Sequence, residues 1–246
     1  LAKYKEGKAV LDKRIVSNEQ WWKLRHWGEI GYDKDDTRPM PASAWLFNSL
    51  ANKHADAMDN IPEPAVLPRE KSDEEVAKQL SLILPAILER CGYEKLYSDG
   101  WWYKLKNGSM CTAVVWDPDA DGGMGDIAIR NADILNLFWE PGIKDIEESA
   151  NLFYVTLVDR ERLNLMYPEL CGEEPESVAG GTGNVEKYKT EDKTDDSAKV
   201  EVVDWYYKKT INGRKQLCYC KFCGDRVIYS SEDDESCADG FYKHSR

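Results

Sequence analysis

The chain has 246 residues, of which 42% are hydrophobic, and this excludes a disordered tail or a disulfide-stapled miniprotein. Such a length allows one or two domains of roughly 150 residues. With 33 Lys and Arg against 45 Asp and Glu, the net charge is −12, which excludes a protein that grips nucleic acid over its whole surface. The longest uncharged apolar stretch, Leu80 to Leu88, is too short to cross a bilayer. We expect a soluble protein with no membrane partner.

The amino terminus is basic and aromatic. Its first 27 residues hold seven Lys and Arg against three Asp and Glu. Ser17 and Gln20 have the spacing of a capping box, which predicts a helix that begins there and carries Trp21, Trp22 and Trp27. We expect these tryptophans to cover a neighbouring element, with stacking on nucleic-acid bases as the alternative.

Helical periodicity continues through the first half of the chain. Ser43 is predicted to open a second helix, and three prolines make residues 60–69 an extended connector. Ser72 is predicted to cap a third helix that Pro85 kinks, and Tyr93 to Lys106 reads as a fourth.

From residue 110 the hydrophobic period changes from that of helices to that of strands. Predicted strands are Met110–Trp116, Asp126–Arg130, Ile134–Trp139, Asn151–Val158, Val200–Lys209, Leu217–Phe222 and Val227–Ser230. The second and third are expected to pair with each other, Asp159 to cap a short helix, and Asn212-Gly213 to close a hairpin. The fold class is therefore α+β, with N-terminal helices followed by a mixed, mainly antiparallel β region.

Composition divides the chain into four predicted segments. Residues 1–109 are mainly helical, 110–170 are β-rich, 171–199 form a flexible acidic excursion, and 200–246 are a β-hairpin region. The chain begins without Met and ends without a stop signal, so we expect it to be part of a longer protein. Seven scattered cysteines favour reduced thiols and synthesis in a cytosol.

A cysteine pair near the carboxyl end has the spacing of a zinc knuckle. Cys220 and Cys223 stand in a C-x-x-C-G sequence, and Cys237 and His244 are the candidates for a second pair. Six residues separate those two, so free cysteines in a β-hairpin are the favoured interpretation, with zinc or a redox disulfide as alternatives. A zinc-stabilised binding module that uses the Cys218–His244 end is accordingly an alternative function.

No residue set predicts catalysis. Asp117, Asp119 and Asp121 match the first half of a calcium loop, but Ala128 stands where a bidentate Glu is needed, so we predict a hairpin turn. A metal-dependent hydrolase built on these aspartates and Asp126 is a further alternative. His54 lies on the polar side of its helix and is interpreted as a structural or interface hydrogen bonder. The chain has no nucleophile elbow, phosphate loop or dinucleotide fingerprint, and we expect no enzyme and no cofactor.

Several runs, in order, carry a family resemblance. They are Trp45 to Asn60, Pro62-Glu-Pro64, Leu67-Pro-Arg69, Tyr97-Ser-Asp99, Trp102 to Lys106, Val115-Trp-Asp117, Gly125 to Arg130 and Asn136 to Gly142. Together they resemble the N-terminal part of portal proteins of tailed bacteriophages, over Ile15 to Tyr242. The positions that mark it are His54, Asp56, Asn60, Pro62, Trp139, Glu140, Pro141 and Gly142.

The resemblance implies a structural, non-enzymatic subunit of a ring, usually a dodecamer, at one vertex of the capsid. Double-stranded DNA would pass through this head-to-tail connector during packaging and ejection without sequence-specific binding. The implied partners are the terminase large subunit, neck or adaptor proteins, and capsid and scaffold proteins. The protein would be made in the bacterial host cytoplasm and reside in the virion.

The resemblance also narrows what this chain would contribute. It implies that the chain is the α+β wing domain. The stem and clip, which follow the wing in this family, have no counterpart in the sequence up to Arg246. The net negative charge suits a conduit, because like-charge repulsion lets a polyanion slide without sticking. We further expect the basic N-terminal helix, through Lys23 and Arg25, to meet an acidic neighbouring subunit.

Overall fold

The computed structural model describes residues 1–28, 37, 39–117, 120–168, 199–211, 213–234 and 237. Its helices are α1 (Ala2–Trp22), α2 (Trp45–Met58), α3 (Glu74–Arg90), α4 (Tyr93–Asn107) and α5 (Arg160–Met166). Its strands are β1 (Cys111–Asp117), β2 (Asp126–Ala132), β3 (Leu137–Trp139), β4 (Asn151–Asp159), β5 (Lys199–Ile211), β6 (Arg214–Cys223) and β7 (Arg226–Ser230). Four helices precede the first strand, α5 lies between β4 and β5, and the described strand pairs are antiparallel, which confirms the α+β class.

The described residues form two compact units. The sheet unit combines Leu1–Val16 with the described residues from Asp133 onward, and the helical unit is Ser17–Ala132. Helix α1 contributes its first part to one unit and its end to the other. These units group the chain differently from the four segments proposed on composition, because the first sixteen residues pack with strands that lie more than a hundred residues later.

The sheet unit is built on five strands in the order β3-β4-β5-β6-β7. Alternation along the central strands sends apolar side chains to both faces. One buried cluster contains Phe138, Phe153, Val155 and Val203, and the other contains Leu163, Val200, Val202 and Cys223. The first cluster packs against Tyr4 of α1, whose ring meets that of Phe153 edge-on at 5.4 Å. The sheet is therefore covered by the chain's own helices α1 and α5.

The helical unit contains α2, α3, α4 and the β1–β2 hairpin. None of the described residues of α2 is buried, and Ala77 is the one buried residue of α3. The hairpin turn predicted at the aspartates is confirmed, and Asp117 pairs with Asp126 across it. Gly125 has φ +80°, and a Cβ there would lie 2.5 Å from the Trp116 ring, so this turn requires glycine.

Several sequence expectations are wrong in detail. Helix α1 begins at Ala2, so Ser17 and Gln20 lie inside it and form no capping box. The residue before α2 is Ala44 and that before α3 is Asp73, and neither side chain caps its helix. β2 pairs with β1 and β3 pairs with β4, so the predicted pairing of β2 with β3 is wrong.

The remaining element predictions fare better. The helix over Tyr93–Asn107, the short helix after Asp159 and the hairpin joining β5 to β6 are confirmed. Asp159 stands at the N-cap position of the short helix, but its side chain makes no capping hydrogen bond, so the predicted cap is wrong. Pro85 lies within α3. The acidic excursion of residues 171–199 falls outside the described residues except at Lys199, which begins β5.

Candidate interaction sites

Residues Trp139 to Gly142 form a turn on which α1 packs. A Cβ on Gly7 would lie 2.4 Å from Cγ of Pro141, so the helix backbone and the proline ring are in direct contact. The Glu140 N–H donates to Ser149 Oγ at 3.0 Å, and its carboxylate accepts from the Ala150 N–H at 3.3 Å. Gly142 has φ +87° and ends the turn. This run thus forms the surface on which the first helix packs, here called the seat of α1.

Lys8 reinforces this seat from the helix side. Its side chain is buried, its ammonium lies 4.5 Å from the ring centre of Phe138 and 5.7 Å from that of Trp139, and it donates to the Ile134 carbonyl. Asp12, one turn along, pairs with it at 3.1 Å. Burial raises the pKa of the Asp12 carboxyl, while the Lys8 ammonium opposes that rise. A buried cation is held here by two aromatic faces and a carboxylate.

His54 of the second marked run joins α2 to α4. Its ring stacks on that of Trp102 at 4.0 Å and 7°, and Nε2 lies 3.2 Å from the Ser98 carbonyl and 3.1 Å from Ser98 Oγ. These contacts fit the sequence interpretation of His54 as a structural hydrogen bonder. Asp56 is exposed on the same helix, Asn60 is exposed in the turn that follows it, and Pro62 is exposed in the connector.

An aromatic pocket of about 600 Å³ lies beside this stack. Trp22, Trp102 and Tyr103 supply its aromatic walls, and Trp22 meets Trp102 at 5.1 Å. The Lys106 ammonium lies 5.7 Å from the ring centres of both Trp22 and Tyr103 and 2.7 Å from the buried carboxylate of Glu19. The end of α1 is therefore anchored on α4, and Trp22 covers a neighbouring element as the sequence predicts.

The basic residues after α1 have local contacts. Lys23 lies 4.0 Å from the Glu19 carboxylate one turn back. Trp21 stacks on His26 at 4.4 Å, and the Trp27 indole donates to the Pro41 carbonyl at 3.0 Å. An acidic partner for Lys23 and Arg25 stays a prediction.

The candidate zinc ligands have different surroundings. Cys223 lies in the apolar cluster with Leu163 and Val200, whereas Cys220 lies on the β6 ladder opposite Trp205. Burial raises the pKa of the Cys220 thiol, and nearby Asp233 and Glu232 raise it further, which disfavours the thiolate that a metal needs. Cys237 Sγ lies 3.7 Å from the Tyr229 hydroxyl.

His244, the fourth candidate ligand, lies outside the described residues. Within the part of the chain that is described, no three His, Cys, Asp or Glu side chains stand close enough to hold a metal. Zinc therefore stays a prediction.

The hairpin aspartates take part in ion pairs. Asp117 accepts from Arg130 at 2.7 Å, and Asp126 from Arg90 at 2.8 Å. Asp121 opens a short turn with φ +52°, and Asp119 lies outside the described residues. Both paired carboxylates thus fix the hairpin and α3 rather than converging on a common point.

Helix α3 carries a second apolar stripe beside its packed one. Ala77, Ser81, Leu84 and Leu88 recur at helical spacing on the packed side, where the Ser81 hydroxyl bonds the backbone of Val66. Val76, Leu80 and Ile83 recur on the adjacent side and are exposed. Single exposed apolar residues are ordinary, but a continuous exposed stripe is a feature typical of contact surfaces.

Sequence reasoning missed the residues that make the first seat. Gly7 and Lys8 lie among several lysines, a pattern that predicts a solvent-exposed helix. No neighbouring residue in the sequence indicates that Lys8 is buried. The available signal was Gly7, which has no side chain, three residues after the aromatic Tyr4. On one helix these two residues permit a close approach to another element.

Comparison with known families gives a match over most of the chain. The profile of the family described as phage P22-like portal protein matches residues 55–239, about three quarters of the chain. No curated protein matches it. No helix among the described residues is long and apolar enough to span a membrane. The matched segment includes Trp102 and the Trp139–Gly142 run, and the chain belongs to the phage P22-like portal protein family.

Proposed function

We propose that the chain is a structural subunit of a portal ring at one vertex of a phage capsid, with a conduit for DNA packaging and ejection at its centre. The observation that carries this proposal is the family match over residues 55–239. The terminase large subunit, neck or adaptor proteins, and capsid and scaffold proteins would dock on the ring. The protein would be made in the host cytoplasm and then reside in the virion.

Two structural features support a role in assembly rather than catalysis. The carboxylates Asp117 and Asp126 are used in ion pairs, and His54 is used in a stack. The exposed α3 stripe is the kind of surface that a neighbouring subunit covers. We propose that the protein has no enzymatic activity of its own.

Charge supports the proposed conduit. The net charge of −12 per subunit is multiplied by the number of subunits in a ring. Such a ring repels the DNA phosphates, so that the double strand would pass without being held at particular sequences.

Native mass spectrometry tests the proposal. The protein is measured with any residues that its natural reading frame adds at either end. We expect it to form closed rings of about a dozen subunits without metal. Monomers at all protein concentrations would contradict the ring. Monomers that carry one zinc each and unfold with a chelator would instead support the binding module at the Cys218–His244 end.

A further inference from the structure

The aromatic pocket of the helical unit has an unbalanced negative charge. Two cations line it, and each is already neutralised: Lys106 by Glu19 at 2.7 Å, and Arg130 by Asp117 at 2.7 Å. Asp99 lines the pocket and is exposed, and its side chain has neither a hydrogen bond nor an ion pair with any described residue. The remaining charge therefore favours a positively charged occupant.

The pocket walls favour the same kind of occupant. The Lys106 ammonium lies 5.7 Å from the ring centres of Trp22 and Tyr103, so these ring faces already accept one cation. Glu19 neutralises that ammonium at 2.7 Å, so a second cation can enter the pocket. A guanidinium suits the pocket best, because it is planar, stacks on indole rings and pairs with a carboxylate through two parallel hydrogen bonds. Asp99 would supply that carboxylate.

The same unit presents a guanidinium on a stiff arm. The connector between α2 and α3 contains Pro62, Pro64 and Pro68, which restrict its backbone. Ser81 Oγ accepts from the Val66 N–H at 3.2 Å and donates to its carbonyl at 3.4 Å, which fixes the arm on α3. Arg69 follows directly, is exposed, and makes no hydrogen bond or ion pair with the described residues.

The arm also exposes an apolar anchor. Leu67 is 83% exposed, the largest exposed fraction among the large apolar side chains described. Pro64 and Val66, which alternate with it, are half-buried. An extended arm that turns one side to its own helix and presents leucine and arginine on the other is arranged to meet a second surface.

We propose that Arg69 of one subunit binds in the aromatic pocket of the neighbouring subunit, where its guanidinium pairs with Asp99 and stacks on the indole wall. The proposal rests on the ring proposed above and names one of its contacts. The occupant is a second copy because pocket and arm are complementary in charge and belong to the same chain. A contact between two different surfaces repeats from subunit to subunit and closes a ring when the rotation allows.

Charge reversal tests this contact in the full-length protein by native mass spectrometry. We expect Arg69→Glu and Asp99→Arg each to raise the protein concentration needed for half-assembly by about tenfold or more. The double variant carrying both changes should restore assembly, since the pair is then reversed. Lys71→Glu, an equal charge change on an exposed residue two positions away, is the control and should assemble normally.

A cross-link separates this contact from the ring itself. Arg69→Cys combined with Asp99→Cys should be linked between chains by a bifunctional thiol reagent about as long as an arginine side chain, because a direct disulfide is too short to replace an arginine–carboxylate pair. Neither single variant, nor the wild type with its own free cysteines, should give this link. Links without closed rings would support the contact and contradict the ring. Closed rings in which both reversals assemble like the wild type, or in which the double variant is not rescued, would overturn the contact and leave the ring standing. Neither rings nor links would contradict both.

Discussion

The sheet unit and the helical unit of this protein bury their apolar residues to different extents. In the sheet unit, Phe153, Val155 and Leu163 are almost wholly enclosed by the chain itself. In the helical unit, Ala77 of α3 is buried, but Val76 and Leu80 of the same helix are exposed. The first unit is therefore a core complete within one subunit, whereas the second contains surfaces suited to contact with another chain.

Matched leucine substitutions should give the largest contrast between the units. Leu163 is 2% exposed and Leu82 is 72% exposed. We expect Leu163→Ala to lower the free energy of unfolding by about 2–5 kcal/mol, because it leaves a cavity, and Leu82→Ala to change it by about 0.5 kcal/mol or less. Urea denaturation of both variants measures this, and equal effects would contradict the contrast.

The seat of α1 can be broken by adding one methyl group. Gly7→Ala places a Cβ against the Pro141 ring, and we expect a loss of about 1–3 kcal/mol from overpacking. Gly28→Ala is the control, since no atom of the described residues lies within 4 Å of its added Cβ. Thermal unfolding of the two proteins reports the difference, and a stable Gly7→Ala variant would mean that the helix does not pack on this turn.

The stack in the helical unit should contribute less. We expect His54→Ala to lower the free energy of unfolding by about 1 kcal/mol, because the parallel stack on Trp102 is lost. His54→Phe keeps an aromatic ring and should recover part of that loss, which would separate stacking from the hydrogen bonds to Ser98. Chemical denaturation distinguishes them, and equal losses in both variants would assign the whole effect to the hydrogen bonds.

The smallest effect concerns a surface carboxylate of the sheet unit. Hydrogen bonds from Lys209 and Tyr207 lower the pKa of Glu232 below its usual 4.5. A lowered pKa in the folded protein stabilises it above about pH 4.5, and this contribution is lost as the pH falls through the folded pKa. We expect Lys209→Gln to return the pKa of Glu232 toward 4.5, as NMR titration of its carboxyl carbon would show. An unchanged titration would mean that Lys209 does not hold this carboxylate.

The sequence by itself determined the order of the elements and their type. Helical spacing in the first half and alternation in the second, with Asn212-Gly213 between two strands, were enough for the α+β class and for the β5–β6 hairpin. The ordered runs from Trp45 to Gly142 were enough to identify the family. These features depend on local preferences or on residues that the printed chain shows directly.

Only the tertiary structure decided which distant segments meet. Ser17 and Gln20 have a local capping pattern, yet the helix starts at Ala2, because residues 1–16 pack on the sheet and Gly7 fits against Pro141. The burial of Lys8 likewise follows from the aromatic turn that it meets. The stack of His54 on Trp102 brings together residues from separate helices. Such contacts depend on long-range packing. This packing outweighs local signals because the apolar surface it buries contributes more free energy than one cap or turn.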